Sequence, residues 1–317
     1  ILFAENPGIV IQVKDKYKEE VKKILEDAGI GYVKLGKPTE ERHILVEKGD
    51  ATYQFGIDYL RDVWYSTSYL LDCKQSMNGC AKKRFENYKK QPLEFVFDKS
   101  FTGKLSQFGL NPDRRTPTGI KAAIIREKGT NGEREMAYML YLAGFDVKDV
   151  TMTDLVSGRE TLEDINFIVF CGGFSNSDVL GSAKGWAGAF LFNPKAKAAL
   201  DNFYARKDTL SLGVCNGCQL MIELNLINPD FTQKAKMLHN DSHKFESKFV
   251  GVTVPMNRSV MFGSLSGSKL GIWVAHVEGK FSLPYHEDKY TVEVKYSYAE
   301  YPGNPNGTDY SVADLAS

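Results

Sequence analysis

The stretch T-L-S-L-G-V-C-N-G-C-Q-L-M-I-E-L, residues 209–224, joins an apolar run, a G-x-C-x-G turn and a second apolar run with helical spacing. A strand that turns sharply into a helix lifts the residue at the turn clear of the sheet edge, and it needs small residues two positions before and after that residue. Gly213 and Gly217 meet this need on either side of Cys215. We therefore predict that Cys215 is a nucleophile at the carboxyl end of a buried strand.

Similar strands recur before this stretch and predict an α/β fold with a doubly wound, mostly parallel sheet. Strands separated by helices of about a dozen residues are typical of that architecture. One intervening helix pattern has Thr130 and Glu133 at the spacing of a capping box, and Gly144 stands at its end. Ligands of such sheets bind at the carboxyl ends of the strands. The apolar runs that we predict as strands are residues 120–127, 146–152, 165–173 and 209–214.

The first third of the chain has another pattern, which predicts a smaller α+β segment ahead of the sheet. Its predicted elements are strands at 9–13, 31–37 and 43–49, a helix at 15–29 and a helix-rich stretch at 56–89. Residues 97–118 mix proline, glycine, asparagine and charged residues without sustained periodicity, as linkers do. We therefore predict three parts, residues 1–96, a linker at 97–118, and a domain at 119–317.

The composition excludes several classes of function. Lys and Arg number 40 and Asp and Glu also number 40, so no net field attracts nucleic acid or an anionic membrane. No apolar run approaches the roughly 18 residues that span a bilayer, and no signal-peptide pattern opens the chain. We predict a cytoplasmic protein that binds neither nucleic acid nor membrane. Its 5 cysteines are sparse and odd in number, which indicates reduced thiols.

The chemistry expected at Cys215 is that of a thiolate beside an oxyanion hole. The positive end of the following helix would lower the pKa of the thiol, and the backbone N–H of Asn216 would face an oxyanion. A second donor could come from the turn at residues 172–174. Two other interpretations stay open, a simply buried cysteine and a C-x-x-C redox or zinc pair with Cys218. No second C-x-x-C exists, so we expect no metal site.

Several motifs, in this order, resemble one known family. They are R-E-K-G-T-N-G-E-R-E-M-A-Y-M-L-Y-L-A-G-F, T-M-T-D-L, C-G-G-F-S-N-S-D-V-L-G-S-A-K-G-W-A, G-V-C-N-G-C-Q and N-P-N-G. The chain is similar in them to the class I glutamine amidotransferase domain of the large, single-chain formylglycinamide ribonucleotide amidotransferases, which act in purine biosynthesis. The resemblance covers residues 119–317 nearly continuously, and the segments L-F-A-E-N-P-G-I-V-I-Q-V and V-W-Y-S-T-S-Y-L-L resemble the end of the synthetase region.

The resemblance implies a glutaminase in which Cys215 attacks the side-chain amide of glutamine, forms a glutamyl thioester and releases ammonia. Backbone groups of Gly173, Phe174 and Asn216 would form the oxyanion hole. The ammonia would pass to the synthetase portion of the same polypeptide, a ligase that uses ATP and magnesium to convert formylglycinamide ribonucleotide into the amidine. We expect no cofactor in residues 1–317 themselves.

The chain departs from the family pattern in three places. Asn176 and Ser177 stand where the family usually has Tyr-Gly, and Val277 replaces a glycine of an H-G-E-G segment. The family's H-P-E-R motif, which supplies the histidine and glutamate of the triad, lies beyond N-P-N-G, and the chain stops soon after N-P-N-G. Since the chain also opens on Ile1 rather than on Met, we interpret it as a carboxyl-terminal fragment with a truncated glutaminase domain.

Two residues could substitute for the expected base and its orienting carboxylate. His276 and Glu278 stand two apart on a predicted strand, which would put both side chains on one face. The resemblance instead implies that they line the glutamine site. Three hypotheses therefore stay open: a glutaminase fragment, a binding or structural unit with negligible hydrolysis, and an unrelated α/β cysteine hydrolase.

Overall fold

The computed structural model describes residues 5–181 and 183–317, and it divides the chain into two units, Ile1–Trp64 and Tyr65–Ser317. The first unit contains helix α1 (Lys18–Asp27), strands β1 (His43–Lys48) and β2 (Ala51–Gly56), and the start of helix α2 (Ile57–Gln75). The two strands form an antiparallel hairpin. Within the described residues of both units, no helix is both long and apolar enough to span a membrane.

The strands predicted at residues 9–13 and 31–37 are wrong, whereas the helix at 15–29 and the strand at 43–49 are confirmed. The alternating apolar pattern of residues 9–13 suggested a half-buried strand, yet Ile9 is 91% and Val10 79% exposed. A strand needs a neighbour to pair its backbone N–H and C=O groups. Among the described residues neither segment has one, so both are extended without a ladder.

The second unit carries the remaining elements. Its strands are β3 (Lys121–Arg126), β4 (Thr130–Asn131), β5 (Asp146–Thr151), β6 (Phe167–Phe170), β7 (Gly172–Gly173), β8 (Leu210–Gly213), β9 (Lys236–Leu238), β10 (Glu246–Thr253), β11 (Lys269–His276), β12 (Lys280–Ser282), β13 (Thr291–Tyr296) and β14 (Val312–Ala316). Its helices after α2 are α3 (Cys80–Glu86), α4 (Glu133–Leu142), α5 (Met152–Ser157), α6 (Lys184–Phe192), α7 (Pro194–Ala205) and α8 (Asn216–Glu223).

A four-stranded parallel sheet in the order β5-β3-β6-β8 forms the centre of this unit. In chain order that is 2-1-3-4, the arrangement of a doubly wound sheet whose direction of winding reverses between β3 and β6. The predicted fold class is therefore confirmed. The strands are apolar on both faces because helices cover both. Ala123, Ile125 and Phe170 pack against α5, α6, α7 and α8, while Ile124 and Val169 pack against α4.

Smaller sheets flank the parallel one. Strands β11-β10-β13-β14 form an antiparallel sheet, β9 pairs with β12, and β4 pairs with β7. The last pair places Gly173 opposite Thr130 and so fixes the turn that follows β6. The predicted linker, residues 97–118, contains one short 3₁₀ turn, Leu105–Phe108, and neither a strand nor an α-helix among its described residues. The three-part division of the chain stays a prediction.

The capping box predicted at Thr130 and Glu133 is wrong. Helix α4 begins after Gly132, which has a left-handed backbone and provides no side-chain cap. The structure instead forms a capping box at α5, where Thr151 and Asp154 bond each other's backbone N–H groups. The pairing of β4 with β7 makes Thr130 a strand residue, so Thr130 does not lie at the start of α4. The predicted stop at Gly144 is confirmed by the end of α4 at Leu142.

Candidate active site

Cys215 is the second residue of the two-residue junction between β8 and α8, with φ 54° and ψ −107°. A positive φ is uncommon for a residue with a side chain, and such strain clusters at functional sites. The flanking glycines are required by close packing. A Cβ on Gly213 would lie 2.5 Å from the carbonyl oxygen of Gly217, and one on Gly217 would lie 2.0 Å from that of Phe170. The predicted sharp turn around the cysteine is present in the structure.

Two backbone amides point at the thiol from different elements. The N–H groups of Gly173, after β6, and of Asn216, at the start of α8, lie near enough to the sulfur of Cys215 to lower its pKa as hydrogen-bond donors. Two convergent N–H donors are the usual construction of an oxyanion hole. The Phe174 amide, also predicted for this role, instead donates to the carbonyl oxygen of Gly129 at 2.9 Å. The geometry therefore brings Gly173 and Asn216, rather than Phe174, to the sulfur.

The pKa of Cys215 departs from the expected direction. Burial raises the pKa of the thiol, the two amides of Gly173 and Asn216 partly oppose this, and the negative charge of Asp178 adds to it. The argument from the helix terminus predicted a lowered pKa and is wrong, because removal from water outweighs the two hydrogen bonds. The resting side chain is therefore the neutral thiol at pH 7, and it donates to the carbonyl oxygen of Ala275 across 3.8 Å.

A chain of side-chain hydrogen bonds ties together the segments around Cys215. Asn216 accepts from the Ser175 N–H at 3.1 Å and donates to the Gln219 side chain at 2.7 Å. Gln219 in turn donates to the carbonyl oxygen of Glu278 at 2.7 Å. Asn216 and Gln219 are both buried, so these bonds are shielded from water. The network holds the turn after β6 and the end of β11 in register with the cysteine.

His276 and Glu278 lie close in sequence but have separate partners. The His276 ring shares a 2.9 Å hydrogen bond with the Asn306 side chain, whose nitrogen donates to the hydroxyl of Tyr296. Burial lowers the pKa of His276, and the bond to Asn306 partly opposes this shift. The Glu278 carboxylate pairs with the His239 ring at 3.3 Å. The arrangement expected of a base and its orienter, a bond from His276 to Glu278, is replaced by these two contacts.

Asn240 and Asn306 are buried beside His276, and the sequence did not predict their contacts. Asn240 is fully buried and donates to the carbonyl oxygen of His276 at 2.7 Å, and its own oxygen accepts from the Gly279 N–H. Asn306 belongs to the N-P-N-G motif and orients the His276 ring. The motif could be seen in the sequence, but its partner could not, because His276 lies 30 residues earlier in the chain at the end of β11. These bonds explain why polar residues occupy buried positions here.

The turn after β6 is strained at three successive residues, which include Asn176 and Ser177. Asn176, Ser177 and Asp178 all have positive φ, at 52°, 55° and 54°. Glycine adopts such backbone at no steric cost, whereas other residues do so at a cost of about 1 kcal/mol. Among the described residues, one buried carboxylate oxygen of Asp178 has no hydrogen-bond partner. Burial, together with the charge of Glu278, raises the pKa of Asp178.

The second cysteine of the C-x-x-C pair has no chemical role that the structure supports. Burial raises the pKa of Cys218 far above that of a free thiol, and both Cys215 and Cys218 are reduced. Within residues 5–181 and 183–317, no group of three or more His, Cys, Asp or Glu side chains is arranged to hold a metal ion. Cys218 packs with apolar residues next to the core around Ile222. The Cys218 side chain is half-buried, and a thiol whose pKa is raised in apolar surroundings is a poor nucleophile.

Comparisons with known proteins identify the family to which the chain is similar. A family model described as a CobB/CobQ-like glutamine amidotransferase domain matches residues 119–317. The chain is 34% identical over 338 residues to a phosphoribosylformylglycinamidine synthase of Drosophila melanogaster, covering 100% of the chain and 25% of that protein. It is 35% identical over 352 residues to that of Homo sapiens, covering 100% of the chain and 26% of that protein. The chain thus spans about a quarter of the length of these relatives.

Among solved structures, PurLQS from Thermotoga maritima aligns with a TM-score of 0.48 and 25% identity, covering 62% of this chain and 82% of that one. The family match confirms the resemblance found in the sequence motifs. It gives no support to the hypothesis of an unrelated cysteine hydrolase.

Proposed function

The chain belongs to the CobB/CobQ-like glutamine amidotransferase domain family, and from that premise we propose that Cys215 releases ammonia from the side-chain amide of glutamine. The observation that carries the proposal is the convergence of the Gly173 and Asn216 amides on the Cys215 sulfur at a strained strand-to-helix turn. A nucleophile and two donors within hydrogen-bond reach are the parts that acyl transfer requires.

In the proposed reaction the sulfur attacks the amide carbon of glutamine, and a C–S bond forms as the C=O double bond opens to an oxyanion. The N–H groups of Gly173 and Asn216 hold that oxyanion. The amide nitrogen then takes up the proton that the thiol has lost, the oxyanion collapses to C=O, and the C–N bond breaks to release ammonia. Water hydrolyses the glutamyl thioester to glutamate and free thiol. Because hydrogen bonds to an oxyanion are stronger than those to a carbonyl, the two amides favour the transition state over bound glutamine.

The thiol must lose its proton before or during attack, because burial keeps it neutral at pH 7. A general base is worth roughly 10² to 10⁴ in rate. We propose that His276 is not that base, since its ring is held by Asn306, and that it positions the strand end that lines the glutamine site. The histidine and glutamate of an H-P-E-R motif, which the family resemblance implies, are the proposed base and orienter. The 317-residue chain is then expected to hydrolyse glutamine slowly.

We further propose that the ammonia serves the reaction for which the relatives are named, phosphoribosylformylglycinamidine synthesis, in purine biosynthesis. A synthetase portion of the same polypeptide would use ATP and magnesium to activate the formyl amide oxygen. Ammonia would then displace phosphate from the activated carbon. This ligase activity and the cytoplasmic location rest on the resemblance to relatives of which the chain spans about a quarter.

The test is a comparison of glutamate and ammonia formed from glutamine by the 317-residue chain and by its Cys215→Ala and Cys218→Ala variants. We expect slow turnover that Cys215→Ala abolishes and Cys218→Ala leaves unchanged. His276→Gln is the discriminating variant. If it removes as much activity as Cys215→Ala while the protein stays folded, His276 is the base and the assignment above is wrong. Turnover that survives Cys215→Ala would contradict the proposal as a whole.

A further inference from the structure

A second candidate site lies on β10 and the segments that pack against it. It is a cavity of about 500 Å³, a volume within the range of small-molecule sites. Its walls come from α2, α3 and the residues after α3, from β10, and from the loop after β13. The lining residues that matter for its chemistry are Tyr65, Arg84, Tyr88, Lys244, Phe245, Glu246, Ser247, Lys248 and Tyr298.

Three cations and two anions form one connected cluster at this cavity. Arg84 pairs with Asp72 and, at 3.2 Å, with Glu246. Lys244 pairs with Asp72 at 2.5 Å, and Lys248 with Glu246 at 2.7 Å. Counting each group once, three positive charges face two negative charges, so the cluster carries one excess positive charge. Only the cations and Glu246 line the cavity itself.

Burial makes that excess charge costly. Glu246 is 1% exposed, and its carboxylate also accepts a hydrogen bond from the Tyr301 hydroxyl at 2.9 Å. Most of the hydrogen bonds that this carboxylate can accept are therefore already made to its neighbours. Burial lowers the pKa of Lys248 in spite of its pairing with Glu246. A cation whose charged form is disfavoured by burial gains from any anion placed beside it. The cluster is therefore short of one anionic partner.

The other walls are aromatic. The rings of Tyr65, Tyr88, Phe245 and Tyr298 line the cavity together with the aliphatic stem of Leu93. Tyr298 is held by a hydrogen bond from its hydroxyl to the carbonyl oxygen of Pro92 at 2.9 Å, and Tyr65 stacks on Phe85 at 6.0 Å. Fixed rings of this kind suit a flat aromatic group. Cationic and aromatic walls thus share one cavity.

We propose that this cavity binds a small molecule that combines a phosphate group with an aromatic ring, such as a mononucleotide. Arg84, Lys244 and Lys248 hold the phosphate, and the tyrosine rings hold the aromatic part. None of the lining residues belongs to the Cys215 turn, and occupancy of the cavity can be measured without glutamine hydrolysis. It is therefore distinguishable from the proposed glutaminase activity by direct binding measurements.

The test is titration calorimetry of the 317-residue chain with AMP, with adenosine and inorganic phosphate as separate probes. AMP is expected to bind saturably, more tightly than either probe, and more weakly as NaCl is raised, because salt screens the charges. Lys248→Met is expected to weaken AMP binding about tenfold or more, since it removes one charge-assisted hydrogen bond. Lys197→Met is the matched control, because Lys197 pairs with Asp201 on the surface of α7 and is remote from the lining residues.

A second pair of variants covers the case in which Lys248→Met fails to fold. Ser247 is exposed and lines the cavity, so a charge there changes the field without disturbing the core. Ser247→Glu is expected to weaken AMP binding and Ser247→Lys to strengthen it. The proposal is overturned if adenosine binds as tightly as AMP, if inorganic phosphate does, if AMP shows no saturable binding, or if the two Ser247 variants act alike.

Discussion

Gly217→Ala is the substitution that most directly perturbs the turn carrying Cys215. The new Cβ would lie 2.0 Å from the carbonyl oxygen of Phe170 and 2.6 Å from its carbonyl carbon. Both are backbone atoms of β6, so α8 and β6 must separate by about 1.4 Å to bring the new Cβ from 2.0 Å to an ordinary contact of 3.4 Å with that oxygen. Overpacking of this kind costs up to about 3 kcal/mol, and alanine in place of helical glycine returns about 1 kcal/mol. We expect a net loss of about 2 kcal/mol in the free energy of unfolding.

Gly188→Ala is the matched control. Gly188 lies inside α6, and its Cβ would meet only the Phe192 ring at 3.8 Å, an ordinary contact. This variant is expected to gain about 0.5–1 kcal/mol from helix propensity. Urea unfolding followed by tryptophan fluorescence suits both variants, because Trp186 is 0% exposed and packs edge-on against Phe170. If Gly217→Ala is as stable as the parent, or more stable, the close approach of α8 to β6 is not a constraint and the reasoning is refuted.

Three further predictions concern the site. Burial raises the pKa of Cys215. The rate at which iodoacetamide alkylates Cys215, measured by peptide mass spectrometry, should therefore rise with pH, and the midpoint of that rise should lie above about 8.5, the pKa of free cysteine. A midpoint near pH 7 would contradict this. Ser177→Gly should stabilise the protein by about 0.5–1 kcal/mol in urea unfolding, since it relieves a positive φ, whereas Ser177→Ala keeps the strain and should not. Burial lowers the pKa of His276 in the folded chain. As pH falls, the unfolded chain therefore protonates this histidine at a higher pH than the folded chain does, so the free energy of unfolding should decrease below about pH 6.5. His276→Gln should lessen this decrease between pH 7 and 5.5, and an equal decrease in both proteins would argue against the prediction.

The parallel sheet could be predicted because its strands are apolar throughout. Residues 122–125 and 167–170 are buried on both faces, so their sequence is a continuous apolar run that loop and surface segments do not imitate. The G-x-C-x-G turn could be predicted because its glycines answer a steric need that lies within a few residues of sequence. In both cases the physical cause is local, and the sequence carries it directly.

The strands expected at residues 9–13 and 31–37 show the limit of such patterns. Alternation of apolar residues indicates which side chains favour burial, but a strand also needs a neighbouring backbone. Pairing is a long-range property, and a short pattern does not report it. The same holds for Thr130, whose local spacing suggested a helix cap while its pairing with Gly173 made it a strand residue.

Parts of the candidate site could not be predicted because they depend on where distant segments meet. The amides of Gly173 and Asn216 converge on one sulfur although they lie on separate connections of the sheet. The pKa of Cys215 follows from how deeply the folded chain buries the sulfur, which a helix terminus in the sequence does not reveal. The spacing of His276 and Glu278 suggested a shared face, yet Asn306 and His239 take up their side chains instead.

The account depends on Cys215 being an attacking thiol that glutamine can reach, with the Gly173 and Asn216 amides beside it. The most direct test is to treat the 317-residue chain with a glutamine-like diazoketone and to locate the adduct by peptide mass spectrometry, with and without excess glutamine. The account predicts a single adduct on Cys215, suppressed by glutamine, while Cys218 stays unmodified. An adduct elsewhere with Cys215 untouched, or labelling of Cys215 that glutamine does not suppress, would contradict it.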